Sequence, residues 1–75
     1  MYEIIKQEVG RIGMLSNSYY SEKLGLTPEY ICKVLSGKLN TKMAVAKGII
    51  SLAYGIPLTN YEVDELLEKH FTKVK

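Results

Sequence analysis

Ser16-Asn17-Ser18-Tyr19-Tyr20-Ser21-Glu22-Lys23-Leu24-Gly25-Leu26-Thr27-Pro28-Glu29-Tyr30-Ile31-Cys32-Lys33-Val34-Leu35-Ser36-Gly37-Lys38 is the stretch on which the reading of this chain turns. It divides into two short helical segments around a turn. Ser16 opens the first, which ends at Gly25; Tyr20 and Leu24 form its apolar i, i+4 pair, with the small Ser21 beside them. Thr27-Pro28-Glu29 then has the composition of a helix start. Thr serves as N-cap, Pro takes the first helical position where its missing N–H costs nothing, and an acid follows in the first turn. The second segment is expected to bury Ile31, Val34 and Leu35 and to stop at Ser36-Gly37. Two helices joined by a short turn at a steep angle need a small residue where they cross. They also need a glycine where the backbone turns and apolar residues on the facing sides. This stretch supplies all three.

Working outward, Tyr2 to Ile12 reads as a first helix, since Ile4 or Ile5, Val9 and Ile12 recur at three- to five-residue spacing. Gly13 follows as its terminating glycine, with Met14 as the apolar residue just beyond. On the other side, Asn40-Thr41 is expected to cap a fourth helix from about Lys42 to Tyr54, closed by Gly55 and Pro57. Its apolar pattern is wide: Met43, Ala46, Ile50 and Ala53 form one stripe, Val45, Ile49 and Leu52 a second. A helix apolar nearly all round is either central or covered by a partner chain. Thr59 and Glu62 have capping-box spacing and open a fifth helix to about Phe71, with Val63, Leu66, Leu67 and Phe71 as its apolar face. No stretch alternates with period two for long, and no repeat or low-complexity linker divides the chain. The expected class is all-α, a compact arrangement of five helices.

Length and composition bound what such a chain can do. Seventy-five residues make one domain, 1–75. A domain of this size buries only roughly 60% of the surface its unfolded chain exposes, and a 47% apolar content is enough for that core. Cys32 is the single cysteine, so disulfides and a cysteine-based zinc site are excluded, and a reducing compartment is expected. There is no apolar run behind a basic start and nothing near the roughly 20 apolar residues of a membrane span. A soluble cytoplasmic protein without a membrane partner is the expectation. The net charge of +2 is small, but its distribution is uneven. Residues 33–47 carry Lys33, Lys38, Lys42 and Lys47 with no acid among them; residues 62–68 carry Glu62, Asp64, Glu65 and Glu68 with no base. The modest total therefore hides a polar molecule, unless these are simply solvated helix faces.

The 16–38 stretch resembles the helix-turn-helix of the Xre/Cro/phage-repressor (lambda-repressor-like) family. The match is of residue types at positions: small Ser21, turn Gly25, apolar Tyr20, Leu24, Leu26, Ile31 and Val34, and a terminating Ser36-Gly37-Lys38. The chain departs from the common pattern in an extra residue around Leu15, in Asn17 where Gln is frequent, and in a slightly longer loop after Gly37. The resemblance implies a five-helix DNA-binding domain whose second and third helices form the helix-turn-helix. The third helix is then held outward so that its leading side chains enter a major groove about 12 Å wide. It implies a sequence-specific transcriptional regulator of Cro or repressor type.

By that resemblance Thr27, Pro28, Glu29 and Lys33 would face the bases. Lys33 would read guanine or hold a phosphate. Glu29 can accept from cytosine N4, although complementing the helix dipole explains it as well. Asn17 and Ser18 would touch the DNA backbone from the start of the second helix. Tyr30, Lys38, Asn40 and Lys42 would hold phosphates and set the salt dependence.

Other chemistry fails on inspection. His70 stands near a helix C-terminus, where a cation is favoured. Cys32 has no visible activating partner and reads as a small semi-buried filler. The carboxylates of the fifth helix lack metal-ligand spacing and a glycine-rich loop. No catalytic residue, metal or cofactor is expected, and the chain is not read as an enzyme. A homodimer is expected, because small domains of this kind gain affinity from two half-sites one DNA turn apart. Its candidate interface is the second stripe of the fourth helix, Val45, Ile49 and Leu52, with Ile56 and Leu58. The alternative is a small phage-type protein that grips another protein, as an antirepressor or an inhibitor of a host defence factor. Glu29, the weak net charge and a phosphate-like row of Asp64, Glu65 and Glu68 motivate that reading.

Overall fold

Helix starts in this chain fall where a side chain can take up an amide that the helix leaves without a partner. The computed structural model describes residues 1–5, 12, 16–55 and 57–74. Ser16 Oγ accepts from the Tyr19 amide at 3.2 Å and opens α1, Asn17–Leu24. Thr27 Oγ1 does the same for the Tyr30 amide at 3.2 Å, with Pro28 as first residue of α2, Pro28–Leu35. At α4, Asn60–His70, Thr59 and Glu62 cap each other reciprocally, both bonds at 3.1 Å. The helix α3, Met43–Tyr54, is the exception: its N-cap is Lys42, which makes no side-chain capping bond. The turn after α1 passes through Gly25 at φ 69°, a left-handed conformation that costs a residue with Cβ about 1–2 kcal/mol.

The all-α, five-helix expectation is not what the chain forms: the described residues hold four helices and a two-stranded antiparallel sheet. Tyr2–Ile4 is a strand, β1, and Phe71–Lys73 is its partner, β2, in the register Tyr2 to Lys73, Glu3 to Thr72 and Ile4 to Phe71. Aromatic and β-branched side chains favour a pleated surface, and here they come from the two ends of the chain, beyond the reach of a local pattern. The reading of a first helix from Tyr2 to Ile12, ended by Gly13 and Met14, also rested on residues 6–11, 13 and 14, which lie outside the described residues. Phe71, expected as the end of a helix, is extended at φ −130° and ψ 151° and caps α4 by donating its amide to the Leu67 carbonyl. The Asn40-Thr41 cap is corrected as well. Thr41 is fully buried and bridges to Tyr2, each amide donating to the other's carbonyl at 2.7 and 2.8 Å.

Core side chains come from every helix: Tyr20 from α1, Ile31 and Val34 from α2, Ala46, Ile49, Ile50 and Ala53 from α3, Leu67 from α4, with Phe71 and Ile12. The first helix packs on α2 and α3, α4 packs on α3 and β2, and β1 lies against α2. Gly48 lets α1 approach α3, because a Cβ there would stand 2.7 Å from Leu24 Cδ2. Two buried polar side chains hydrogen-bond within this core. The Tyr20 hydroxyl donates to the Ile12 carbonyl at 3.2 Å. His70, expected as a helix-end cation, is 1% exposed and its Nε2 shares a 2.7 Å hydrogen bond with the Tyr54 hydroxyl. No helix among the described residues is long and apolar enough to cross a membrane.

Candidate functional site

The helix α2 is anchored on one side and bare on the other. Its inward residues Ile31 and Val34 are completely buried, whereas Thr27, Pro28, Glu29, Cys32 and Lys33 are exposed. The turn that sets this orientation is tightly bonded. The amides of Gly25 and Leu26 both donate to the Ser21 carbonyl, the second at 3.0 Å. Ser21 itself is 7% exposed and sends its hydroxyl to the Ser18 carbonyl at 2.9 Å, so no polar atom is left bare at the buried crossing.

Beyond α2 the chain folds back on the helix end. The amides of Lys38 and Leu39 both donate to the Lys33 carbonyl, at 2.9 and 3.2 Å, and the Ser36 hydroxyl donates to the same carbonyl at 3.1 Å. Lys38 and Lys42 are exposed, with Asn40 half-buried between them. Across this loop the Tyr30 hydroxyl shares a 2.8 Å hydrogen bond with Thr41 Oγ1. Tyr30 is therefore half-buried, its polar atom directed into the protein.

Charge follows the same division. Among the described residues one ion pair forms, Lys47 Nζ to Asp64 Oδ1 at 3.2 Å; Lys33, Lys38 and Lys42 take part in none. The acids Glu62, Asp64, Glu65 and Glu68 are exposed on α4, whose packing neighbours are α3 and β2 rather than the α1 and β1 of α2. Lys33 and Lys38 thus stand on α2 and the loop beyond it, apart from the acids of α4, whereas Lys42 caps α3, which packs on α4; the exposed tip of α2 is not folded into the core. Among the described residues no group of three or more His, Cys, Asp or Glu is placed to hold a metal ion. A groove of about 430 Å³ lies between the sheet and α3–α4, lined by Tyr2, Met43, Leu67 and Phe71 together with Asp64 and Glu68.

The sequence-derived site residues divide accordingly. Thr27, Pro28, Glu29 and Lys33 come together on the exposed side of α2, with Lys38, Asn40 and Lys42 on the loop that leaves it. Asn17, half-buried, and Ser18, exposed, sit in the first turn of α1. Cys32 is exposed rather than semi-buried. Of the residues offered as a dimer face, Ile49 is fully buried, while Val45, Leu52 and Leu58 are half-buried and pack against the core. Ile56 lies outside the described residues. The helix α3 is central and meets both α1 and α4, which buries Ala46, Ile49, Ile50 and Ala53, while Met43 stays 49% exposed. Thr41 and Tyr2, which brace this region, were not identified from sequence; their bridge joins residues 39 positions apart and leaves no local pattern. No family model, curated protein or solved structure matches the chain.

Proposed function

We propose that this chain is a sequence-specific DNA-binding regulator of transcription that inserts the N-terminal half of α2 into the major groove. The observation that carries the reading is the two-sidedness of α2 together with the unpaired lysines that follow it. Ile31 and Val34 fasten the helix, while Thr27, Glu29 and Lys33 project from it into solvent. A major groove about 12 Å wide admits one helix held this way. Lys33 then contacts guanine or a phosphate, and Thr27 and Glu29 stand where base edges lie; Glu29 would accept from cytosine N4. Lys38 and Lys42 supply phosphate contacts, which contribute affinity and orientation rather than sequence discrimination. The likeness of residues 16–38 to the Xre/Cro/repressor helix-turn-helix is the second support. Acting on DNA, such a protein works in the cytoplasm, and a two-fold-symmetric site would mark a homodimer.

Selection from a random double-stranded DNA pool with the purified protein tests the proposal. A short enriched motif whose recovery is lost in Lys33→Ala supports it; two inverted copies centred about 10 base pairs apart would show the dimer as well. Absence of any enriched sequence sinks the DNA reading and turns attention to a protein partner.

A further inference from the structure

Beyond the Ser36 hydroxyl at the helix end, the loop that carries Lys38, Asn40 and Lys42 is tied to α2 by the side chain of Tyr30. The phenol oxygen and Thr41 Oγ1 lie 2.8 Å apart, eleven residues separated in sequence. Thr41 is 0% exposed and is itself held by a paired backbone bridge to Tyr2, at 2.7 and 2.8 Å. Tyr2 in turn stands in β1, paired with Lys73 of β2. The chain of contacts therefore runs from the third residue of α2, through a buried hydroxyl, into the sheet that joins the two ends of the molecule. On either side of Thr41 sit Asn40 and Lys42, so the position of the flanking polar side chains depends on where Thr41 is fixed.

We infer that Tyr30 is a positioning residue: through its hydrogen bond to Thr41 it fixes the 38–42 loop relative to α2, so that base-facing and phosphate-facing side chains meet DNA as one rigid unit. This rests on the DNA-binding reading and reassigns Tyr30 from contacting the DNA backbone to aligning the groups that do. A phenol whose oxygen is bonded inside the protein has less to offer a phosphate. A loop fixed beforehand loses less freedom on binding than one that must be ordered by the DNA.

The test is a hydroxyl-deletion cycle read by DNA affinity on the selected site, or on a mixed duplex pool, at a temperature well below every variant's melting midpoint. Tyr30→Phe and Thr41→Val each remove one partner while keeping shape, and each is expected to weaken binding about five- to tenfold, the size of one net hydrogen bond. The double variant should be no weaker than either single one, because the same bond is lost in all three. Thr41→Ser keeps the hydroxyl and should bind as the wild type does, even though it loses a buried methyl and melts earlier. Weakening by Tyr30→Phe with none by Thr41→Val overturns the inference, since Tyr30 then acts on DNA directly. Affinity that merely follows melting temperature across the set, Thr41→Ser included, overturns it too. Wild-type protein without salt-dependent DNA affinity would overturn both this inference and the functional reading, so the two failures are distinguishable.

Discussion

Tyr20 shows how one side chain ties the site to the core. Its ring is completely buried, its hydroxyl donates to Ile12, and burial, reinforced by the neighbouring Tyr19 phenol, pushes its pKa from 10.0 to about 12. Burial disfavours the phenolate, so the neutral form is the one the fold holds. The stabilisation is therefore complete below pH 10 and is lost as pH rises towards 12, where the unfolded chain releases a proton that the folded chain retains. Melting temperature should fall across that window, and Tyr20→Phe should flatten the fall; an unchanged alkaline profile in the variant would count against the buried phenol. At this scale the sequence was readable wherever a residue's partner lies within one turn. Ser16, Thr27 and Thr59 cap as their spacing predicts, because each acceptor meets an amide three positions on. Thr41 and His70 were not readable. Their partners, Tyr30 and Tyr54, stand eleven and sixteen residues away on other elements, and only packing brings them within reach.

The elements follow a similar rule. All of α1, α2, α3 and α4 correspond to helices expected from apolar spacing and cap chemistry, with ends displaced by a residue or two. What local patterning missed is the sheet. A three-residue strand has too few positions to establish alternation, and β1 gains its stability from β2 at the far end of the chain. The α1–α2 pair carries the proposed DNA-binding surface, and the chain turns between the two helices through Gly25. A Cβ at Gly25 would meet nothing within 4 Å, so the cost of Gly25→Ala is conformational alone, at φ 69°. Chemical denaturation should register a loss of about 1–2 kcal/mol. If α1 and α2 reorient to relieve the strain, DNA affinity should fall by more than that loss of folded protein explains. A neutral Gly25→Ala variant would show that the turn has another conformation open to it.

Across the whole molecule, charge is arranged more clearly than its sum suggests. The net charge is +2, yet Lys33 and Lys38 stand on α2 and the loop beyond it, whereas Glu62, Asp64, Glu65 and Glu68 stand exposed on α4. The basic stretch was legible from residue order. Which of its lysines are free was not, because Lys47 pairs with Asp64 across α3 and α4. The same packing explains why the apolar stripes of α3 could not be assigned to core or partner from the sequence: a central helix and an interface helix have the same composition.

The most direct measurement is the salt dependence of binding to duplex DNA, followed by fluorescence anisotropy for the wild type and three lysine variants. Three phosphate contacts predict a slope of log affinity against log salt of roughly −2.7 per bound protein. Lys33→Ala and Lys38→Ala should each make it shallower by about one, if each lysine meets a phosphate, while Lys47→Ala should leave it unchanged. Binding that ignores salt, or that weakens with Lys47→Ala as much as with Lys38→Ala, would contradict the account of α2 and its loop as the surface that meets DNA.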